Sequence, residues 1–188
     1  MTPISRALVR AESLHRGQFR RSSRVPYVAH LWGVASLVAE MAGSEIEIIA
    51  ALLHDAVEDQ GGLPTLRAIE VEFGPEVARI VMACSDTTET PKPPWRSRKE
   101  AYLARLRVED DSVAKVSLAD KIHNARALLM ELREEGPVAF EKFNGKKEGT
   151  LWYYREVSSI LLARQEGPWE RELARIVQEL QQASETSS

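Results

Sequence analysis

Ser44-Glu45-Ile46-Glu47-Ile48-Ile49-Ala50-Ala51-Leu52-Leu53-His54-Asp55-Ala56-Val57-Glu58-Asp59 is the stretch whose reading decides the fold. Ser44, with Glu47 three residues later, has the spacing of a capping box, which starts a helix by satisfying two backbone N–H groups reciprocally. Ile48 to Leu53 is wholly apolar, and a helix that is apolar on all sides belongs in a core. The pattern predicts a helix through about Val57, ending near Gly61-Gly62. On such a helix residues four apart share a face, so His54 stands near Glu58 and Asp55 near Asp59. Polar groups thus close a helix that is otherwise core. Buried without partners they would cost roughly 2–7 kcal/mol each, and a metal ion would supply the charge the carboxylates need. The alternative is a solvated helix end, although acidic groups near a helix C-terminus oppose its dipole.

Outward from this stretch, nearly every ordered segment reads with the helical period and almost none with strand alternation. The fold class expected is therefore all-α, a single helical bundle over 1–182 with a frayed tail at 183–188. An amphipathic helix covers Ile4 to His15 and stops at Gly17. The basic segment Arg20-Arg21-Ser22-Ser23-Arg24 follows, then a helix from about Tyr27 to Met41 with Gly43 as its stop. Thr65 is expected to cap a short helix to Phe73, and Gly74-Pro75 to open another reaching Cys84. Ser85 to Trp95 reads as a loop, long for a compact domain and of the kind that often forms a lid. Helices resume at Ser97 to Arg107 and, capped by Asp110 or Asp111, run through about Arg133 until Gly136-Pro137. Phe140 to Gly149 reads as irregular, with Thr150 capping a helix through Leu162. Pro168 opens a last helix over Trp169 to Gln182.

The 188 residues suit one domain. A formal net charge of −3 gives no general attraction to nucleic acid or to an anionic membrane, so an anionic ligand would need a local basic patch. A lone cysteine, Cys84, excludes an internal disulfide and, in its apolar surroundings, reads as buried and inert. Charged residues interrupt the first thirteen positions, so no signal-peptide core is expected there, and no apolar run has the length of a membrane span. The expectation is a cytoplasmic protein with neither nucleic acid nor membrane as partner; no feature sets an oligomeric state.

Two more residues bear on the metal. His30 sits among apolar neighbours near the start of its helix, where a lone histidine is commonly a satisfied core residue. Asp120 lies mid-helix in Lys115-Val116-Ser117-Leu118-Ala119-Asp120-Lys121-Ile122-His123-Asn124-Ala125-Arg126 and by itself reads as surface. Together with His54 and Asp55 they make a mixed nitrogen and oxygen set, which suits manganese, iron or zinc with open water positions; magnesium is less natural with two imidazoles.

The order H…HD…D resembles the HD phosphohydrolase superfamily. His15-Arg16-Gly17-Gln18-Phe19-Arg20-Arg21-Ser22 and Pro26-Tyr27-Val28-Ala29-His30 resemble the opening of the RelA/SpoT hydrolase domain. Ala51 to Asp59 resembles that family's central motif, and Phe73-Gly74-Pro75-Glu76-Val77-Ala78 with Leu118 to Arg126 completes the pattern in order. The resemblance implies an all-α HD domain that hydrolyses the 3′-pyrophosphate of ppGpp or pppGpp, usually with manganese. It implies His30, His54, Asp55 and Asp120 as metal ligands. Glu58 and Asp59 become the pair that orients or deprotonates the attacking water. Arg20, Arg21 and Ser22 lie near the nucleotide, and Asn124 and Arg126 line the same pocket, with Lys121 a further cation and Lys146 or Lys147 more remote ones. The likeness is to the small stand-alone hydrolases, metazoan SpoT homologues included, rather than to the long bifunctional enzymes.

The departures fall on the substrate side. Arg21 stands where lysine is usual, and a planar guanidinium is no equivalent of a point charge at a phosphate. Ser23-Arg24-Val25 replaces a glycine-containing turn, and Leu31 replaces a proline. An HD phosphatase acting on another nucleotide, such as NADPH or a nucleoside monophosphate, therefore stands as the second reading, and a binding module without turnover as the third. Trp95, Trp152, Tyr153 and Tyr154 read as core and rim before purine clamp, and His15 and His123 as structural.

Overall fold

A computed structural model describes residues 1–21, 24–89 and 91–185, and their architecture is all-α. The helices are α1 (Pro3–Leu14), α2 (Val28–Glu40), α3 (Glu45–Leu53), α4 (Ala56–Asp59), α5 (Leu63–Phe73), α6 (Pro75–Cys84), α7 (Trp95–Leu106), α8 (Asp111–Glu135), α9 (Lys146–Arg164) and α10 (Pro168–Glu185), with a 3-10 helix over Gly136–Lys142. Among the described residues the extended structure is one isolated antiparallel bridge, Phe19 with Pro26. No described helix is long and apolar enough to cross a membrane. The chain divides into two compact units, one of Met1–Pro93 with Glu109–Ala119, the other of Pro94–Val108 with the residues from Asp120 on.

In the first unit α3 packs against α1, α2 and α6, which is why its apolar run covers every face. Ile49, Ala50, Ala51, Leu52 and Leu53 are buried, against Ala7 and Ala11 of α1, Leu31, Val34 and Val38 of α2, and Val77, Ile80 and Val81 of α6 among the core. Burying each large aliphatic side chain contributes roughly 1.5–3 kcal/mol. The capping box forms as the spacing indicates: Ser44 Oγ accepts from Glu47 N–H at 3.3 Å, and the Glu47 carboxylate accepts from Ser44 N–H at 2.7 Å. Lys115 Nζ, from α8, reaches the same carboxylate at 3.0 Å. Burial opposes ionisation of Glu47, but the Ser44 N–H and Lys115 together hold its carboxyl below the usual range.

Several boundaries differ from expectation. The left-handed residue after α2 is Ala42 (φ 54°), not Gly43. Gly43 is needed for a different reason: a Cβ there would come within 2.5 Å of the Val38 side chain and 2.7 Å of its carbonyl oxygen. Thr65 does not cap α5; it lies inside the helix and its hydroxyl donates back to the Gln60 carbonyl. Asp110 caps α8, with Oδ1 accepting from Val113 N–H at 3.0 Å. Cys84 is half-buried, its Sγ 4.0 Å from Ser117 Oγ.

In the second unit α9 packs against α7, α10 and the 3-10 helix. Thr150 is a buried residue inside α9, not its cap, and the segment expected to be irregular is helical from Lys146 onward. Packing explains the difference. The Trp95 indole lies over the start of α9, where a Cβ on Gly145 would stand 2.7 Å from the ring and one on Gly149 3.0 Å. The two glycines of the segment expected to be irregular are the seat of a tryptophan. Gly145→Ala is therefore expected to destabilise the protein by about 1–3 kcal/mol through overpacking, measured by urea unfolding followed by tryptophan fluorescence; an unchanged midpoint would contradict the contact. Arg126 and Arg133 of α8 pair with Glu172 and Glu179 of α10 at 3.2 and 2.7 Å, exposed pairs worth about 0–1 kcal/mol each. Helix α10 extends past the expected end at Gln182 to Glu185.

Candidate metal centre

The expected helix through Val57 is interrupted where the chemistry lies. Helix α3 ends at Leu53, His54 and Asp55 form a turn, and α4 resumes at Ala56. His54 Nδ1 lies 2.7 Å from the carbonyl oxygen of Ala51, competing for the acceptor that a continuous helix would give to the N–H of Asp55. A carbonyl only accepts, so Nδ1 is the protonated nitrogen and the Nε2 of neutral His54 presents its lone pair.

That lone pair faces Asp55. His54 Nε2 lies 3.0 Å and His30 Nε2 3.5 Å from the same Oδ2, with the two imidazoles edge to face at 5.3 Å. Both histidines are almost wholly buried, at 1% and 3% exposure. Among the described residues, His30, His54 and Asp55 bring one ligand atom each to within 4.8 Å of one another. Two imidazole nitrogens gathered on one carboxylate oxygen form a donor set that a positive charge among them would hold. A divalent ion supplies it, and two imidazoles with a carboxylate fit a first-row transition metal. The residues present thus fit the implied metal.

Helix α4 places two more carboxylates beside this set. Glu58 Oε1 pairs with Lys92 Nζ at 2.9 Å, and Oε2 accepts from the backbone N–H of Asp86 at 3.2 Å. The segment after α6 is therefore tied to Glu58. Asp59 Oδ2 accepts from Gln18 Nε2 at 3.0 Å. Burial, with the neighbouring charge of Asp55, pushes the Asp59 carboxyl above its usual value. Tyr27, just ahead of α2, donates its phenolic hydrogen to Asp55 Oδ2 at 2.6 Å. Gln18, Tyr27, Asp86 and Lys92 received no role from the sequence. The first two lie within the motif segments and could have been singled out there; the other two lie on a loop whose path composition does not fix.

The remaining expected site residues are distributed as follows. Arg20 is half-buried and joins the bridge through its N–H to the Val25 carbonyl at 2.9 Å, while Arg21 is exposed. Ser22 lies outside the described residues. In the second unit Asp120 is buried and accepts from Lys121 Nζ and Asn124 Nδ2. Lys121 lies 5.2 and 5.7 Å from the ring centroids of Tyr102 and Tyr153. Burial opposes its charge, but Asp120 and the two tyrosines hold its ammonium well above the usual pKa. Arg126, expected at the substrate, is exposed and pairs with Glu172 of α10 at 3.2 Å.

These features define an all-helical protein with two histidines and an aspartate poised as a metal-ligand set. The chain belongs to the HD domain family, whose model matches residues 7–149. It is 38% identical over 124 residues to a guanosine-3′,5′-bis(diphosphate) 3′-pyrophosphohydrolase of Haemophilus influenzae, an alignment covering 63% of this chain and 17% of that protein. It is 37% identical over 131 residues to the bifunctional (p)ppGpp synthase/hydrolase SpoT of Escherichia coli, covering 66% of this chain and 18% of that one. The chain thus spans less than a fifth of the length of these curated relatives. Among solved structures, a metazoan ortholog of SpoT, described as hydrolysing ppGpp and acting in starvation responses, has the same fold, with a TM-score of 0.79 at 24% identity, covering 95% of this chain and 96% of that one. A protein of Listeria monocytogenes matches with a TM-score of 0.71 at 25% identity, covering 84% of this chain and 99% of that one.

Proposed function

We propose that this chain is a metal-dependent phosphohydrolase that removes the 3′-pyrophosphate of ppGpp or pppGpp, giving GDP or GTP and pyrophosphate, with manganese as its metal; iron and zinc suit the same donors. The observation that carries the reading is the convergence of His30 Nε2 and His54 Nε2 on Asp55 Oδ2, with two carboxylates on the next helix. The relatives' alarmone hydrolysis supports the substrate. His30, His54 and Asp55 would hold the metal, with Asp120 the fourth ligand on the strength of the sequence motif.

When bound, such a metal lowers the pKa of a water molecule and offsets charge on phosphoryl oxygens. The protein's own groups do the rest. Glu58 accepts the proton of the attacking water, as a carboxylate placed beside it can. Asp59, held by the Gln18 amide, orients that water. The new bond joins the water oxygen to the phosphorus attached to the ribose 3′ oxygen. The bond between that phosphorus and the 3′ oxygen breaks, and the 3′ oxygen takes up a proton. In-line transfer of this kind depends on position and on cations around the phosphates; Arg20 and Arg21 are those cations in this reading, with Ser22 a neutral hydroxyl donor beside them and Lys121 and Asn124 supporting Asp120. Lys92, paired with Glu58, brings a further positive charge to the same carboxylates. Action on a free nucleotide in the cytoplasm, not on nucleic acid or membrane, belongs to the reading.

The test is purified protein with manganese, incubated separately with ppGpp and with NADPH, products resolved by chromatography. GDP with pyrophosphate from ppGpp is the expected result, abolished by chelator. NADH with inorganic phosphate, ppGpp remaining intact, would transfer the chemistry to the second substrate class.

A further inference from the structure

His15, at the end of α1, is 3% exposed and touches the supports of two carboxylates. Its Nδ1 lies 2.8 Å from Gln18 Oε1. The orientation of the Gln18 amide is identified from its other end, because the atom facing the Asp59 carboxylate at 3.0 Å must be the donor, Nε2. Gln18 Oε1 is therefore the acceptor, for His15 Nδ1–H and for Gln60 Nε2 at 2.6 Å. Burial disfavours the imidazolium of His15, and its Nε2 makes no hydrogen bond among the described residues. The flat of the ring lies on Tyr27, centroids 5.2 Å apart and planes inclined by 17°. The Tyr27 hydroxyl in turn donates to Asp55 Oδ2.

We propose that His15 is a positioning residue that sets two carboxylates at once: Asp55 through its ring contact with Tyr27, and Asp59 through its hydrogen bond to Gln18. The inference rests on the reading that Asp55 holds a metal and Asp59 serves the water. A phenol that donates to Asp55 Oδ2, the oxygen the two imidazoles face, keeps that oxygen in place only if the phenol itself is held, and the imidazole stacked on it holds it. Similarly, an amide can grip Asp59 only in one of its two flips, and His15 with Gln60 selects that flip. Losing such outer partners of a metal site costs on the order of 10–100-fold in metal affinity or activity.

The two arms separate by substitution. In His15→Asn the side-chain nitrogen takes the place of Nδ1, so the donor to Gln18 stays and the ring is lost; in His15→Phe the ring stays and the donor is lost. His15→Asn is expected to lower manganese affinity about 10-fold, read by competition with a chromophoric chelator. His15→Phe is expected to keep that affinity within about 2-fold of wild type while lowering kcat by about 10-fold or more. Tyr27→Phe should reproduce the affinity loss and Gln18→Met the kcat loss, so the test holds even where a His15 variant fails to fold. Parallel losses in both His15 variants, or manganese affinity unchanged in both His15→Asn and Tyr27→Phe, would overturn the proposal. Wild-type protein that binds no manganese would overturn the ligand assignment beneath it. Because affinity is read without turnover, a wrong nucleotide assignment leaves that arm of the test intact.

Discussion

Asp55→Asn is expected to lower manganese affinity by at least about 100-fold and to remove turnover with it, while the protein stays folded. The size follows from the place of Asp55 in the site: both imidazole Nε2 atoms and the Tyr27 hydroxyl meet at its Oδ2. Removal of a mere outer partner already costs about 10–100-fold, so loss of the ligand's charge sets that upper figure as a floor. Stability should move the other way or little, because without metal the native carboxylate faces the His54 lone pair and an amide NH2 can donate to it. Equilibrium dialysis against manganese, with thermal unfolding on the same samples, checks both halves. Unchanged metal affinity in the variant would move the ion elsewhere.

The second large effect is expected for Glu58→Gln. The substitution keeps the shape of the side chain and an oxygen able to accept from Lys92 or from Asp86 N–H, whose contacts are 2.9 and 3.2 Å in the native protein. It removes the capacity to accept a proton. General-base catalysis contributes typically about 10²–10⁴-fold, and kcat should fall by that factor with manganese affinity held near wild type. Steady-state kinetics beside metal titration read the split. A variant that loses metal in proportion to activity would make Glu58 a ligand, and one that keeps kcat would remove it from the proton transfer.

How far the sequence reaches into this protein differs from element to element. The identity of α3 as a central helix was legible because an apolar run on every face has one physical outcome, burial, and the Ser44 and Glu47 pair marks its start. The break at His54 was not legible. Periodicity sees which side a residue faces, not whether a side chain takes the acceptor of its own helix, as His54 Nδ1 does with Ala51. The turn aims His54 at Asp55 itself, while Asp55 and Asp59 stay one helical turn apart, Asp59 N–H donating to the Asp55 carbonyl at 3.0 Å.

The start of α9 was hidden for the opposite reason. Glycines carry a propensity that argues against helix, and the contact that overrides it comes from Trp95, some fifty positions away in the chain. Site legibility follows the same line. Histidines and carboxylates announce metal chemistry by type, so His30, His54 and Asp55 could be singled out in the chain as candidate ligands. Gln18 and Tyr27 have no such chemistry and gain their roles only from what they touch, Asp59 and Asp55. Arg126 has a motif position that suggested a phosphate, and its pairing with Glu172 of α10 at 3.2 Å is a contact the motif does not announce.

The central claim, hydrolysis of an alarmone at a metal held by His30, His54 and Asp55, is tested most directly by metal reconstitution. Protein stripped by chelator is incubated with ppGpp while manganese is added stepwise, and pyrophosphate is measured at each step. The expected result is no pyrophosphate from stripped protein and a rise that saturates near one manganese per chain, absent in Asp55→Asn. Pyrophosphate release from stripped protein, or none at any manganese level, would contradict the claim.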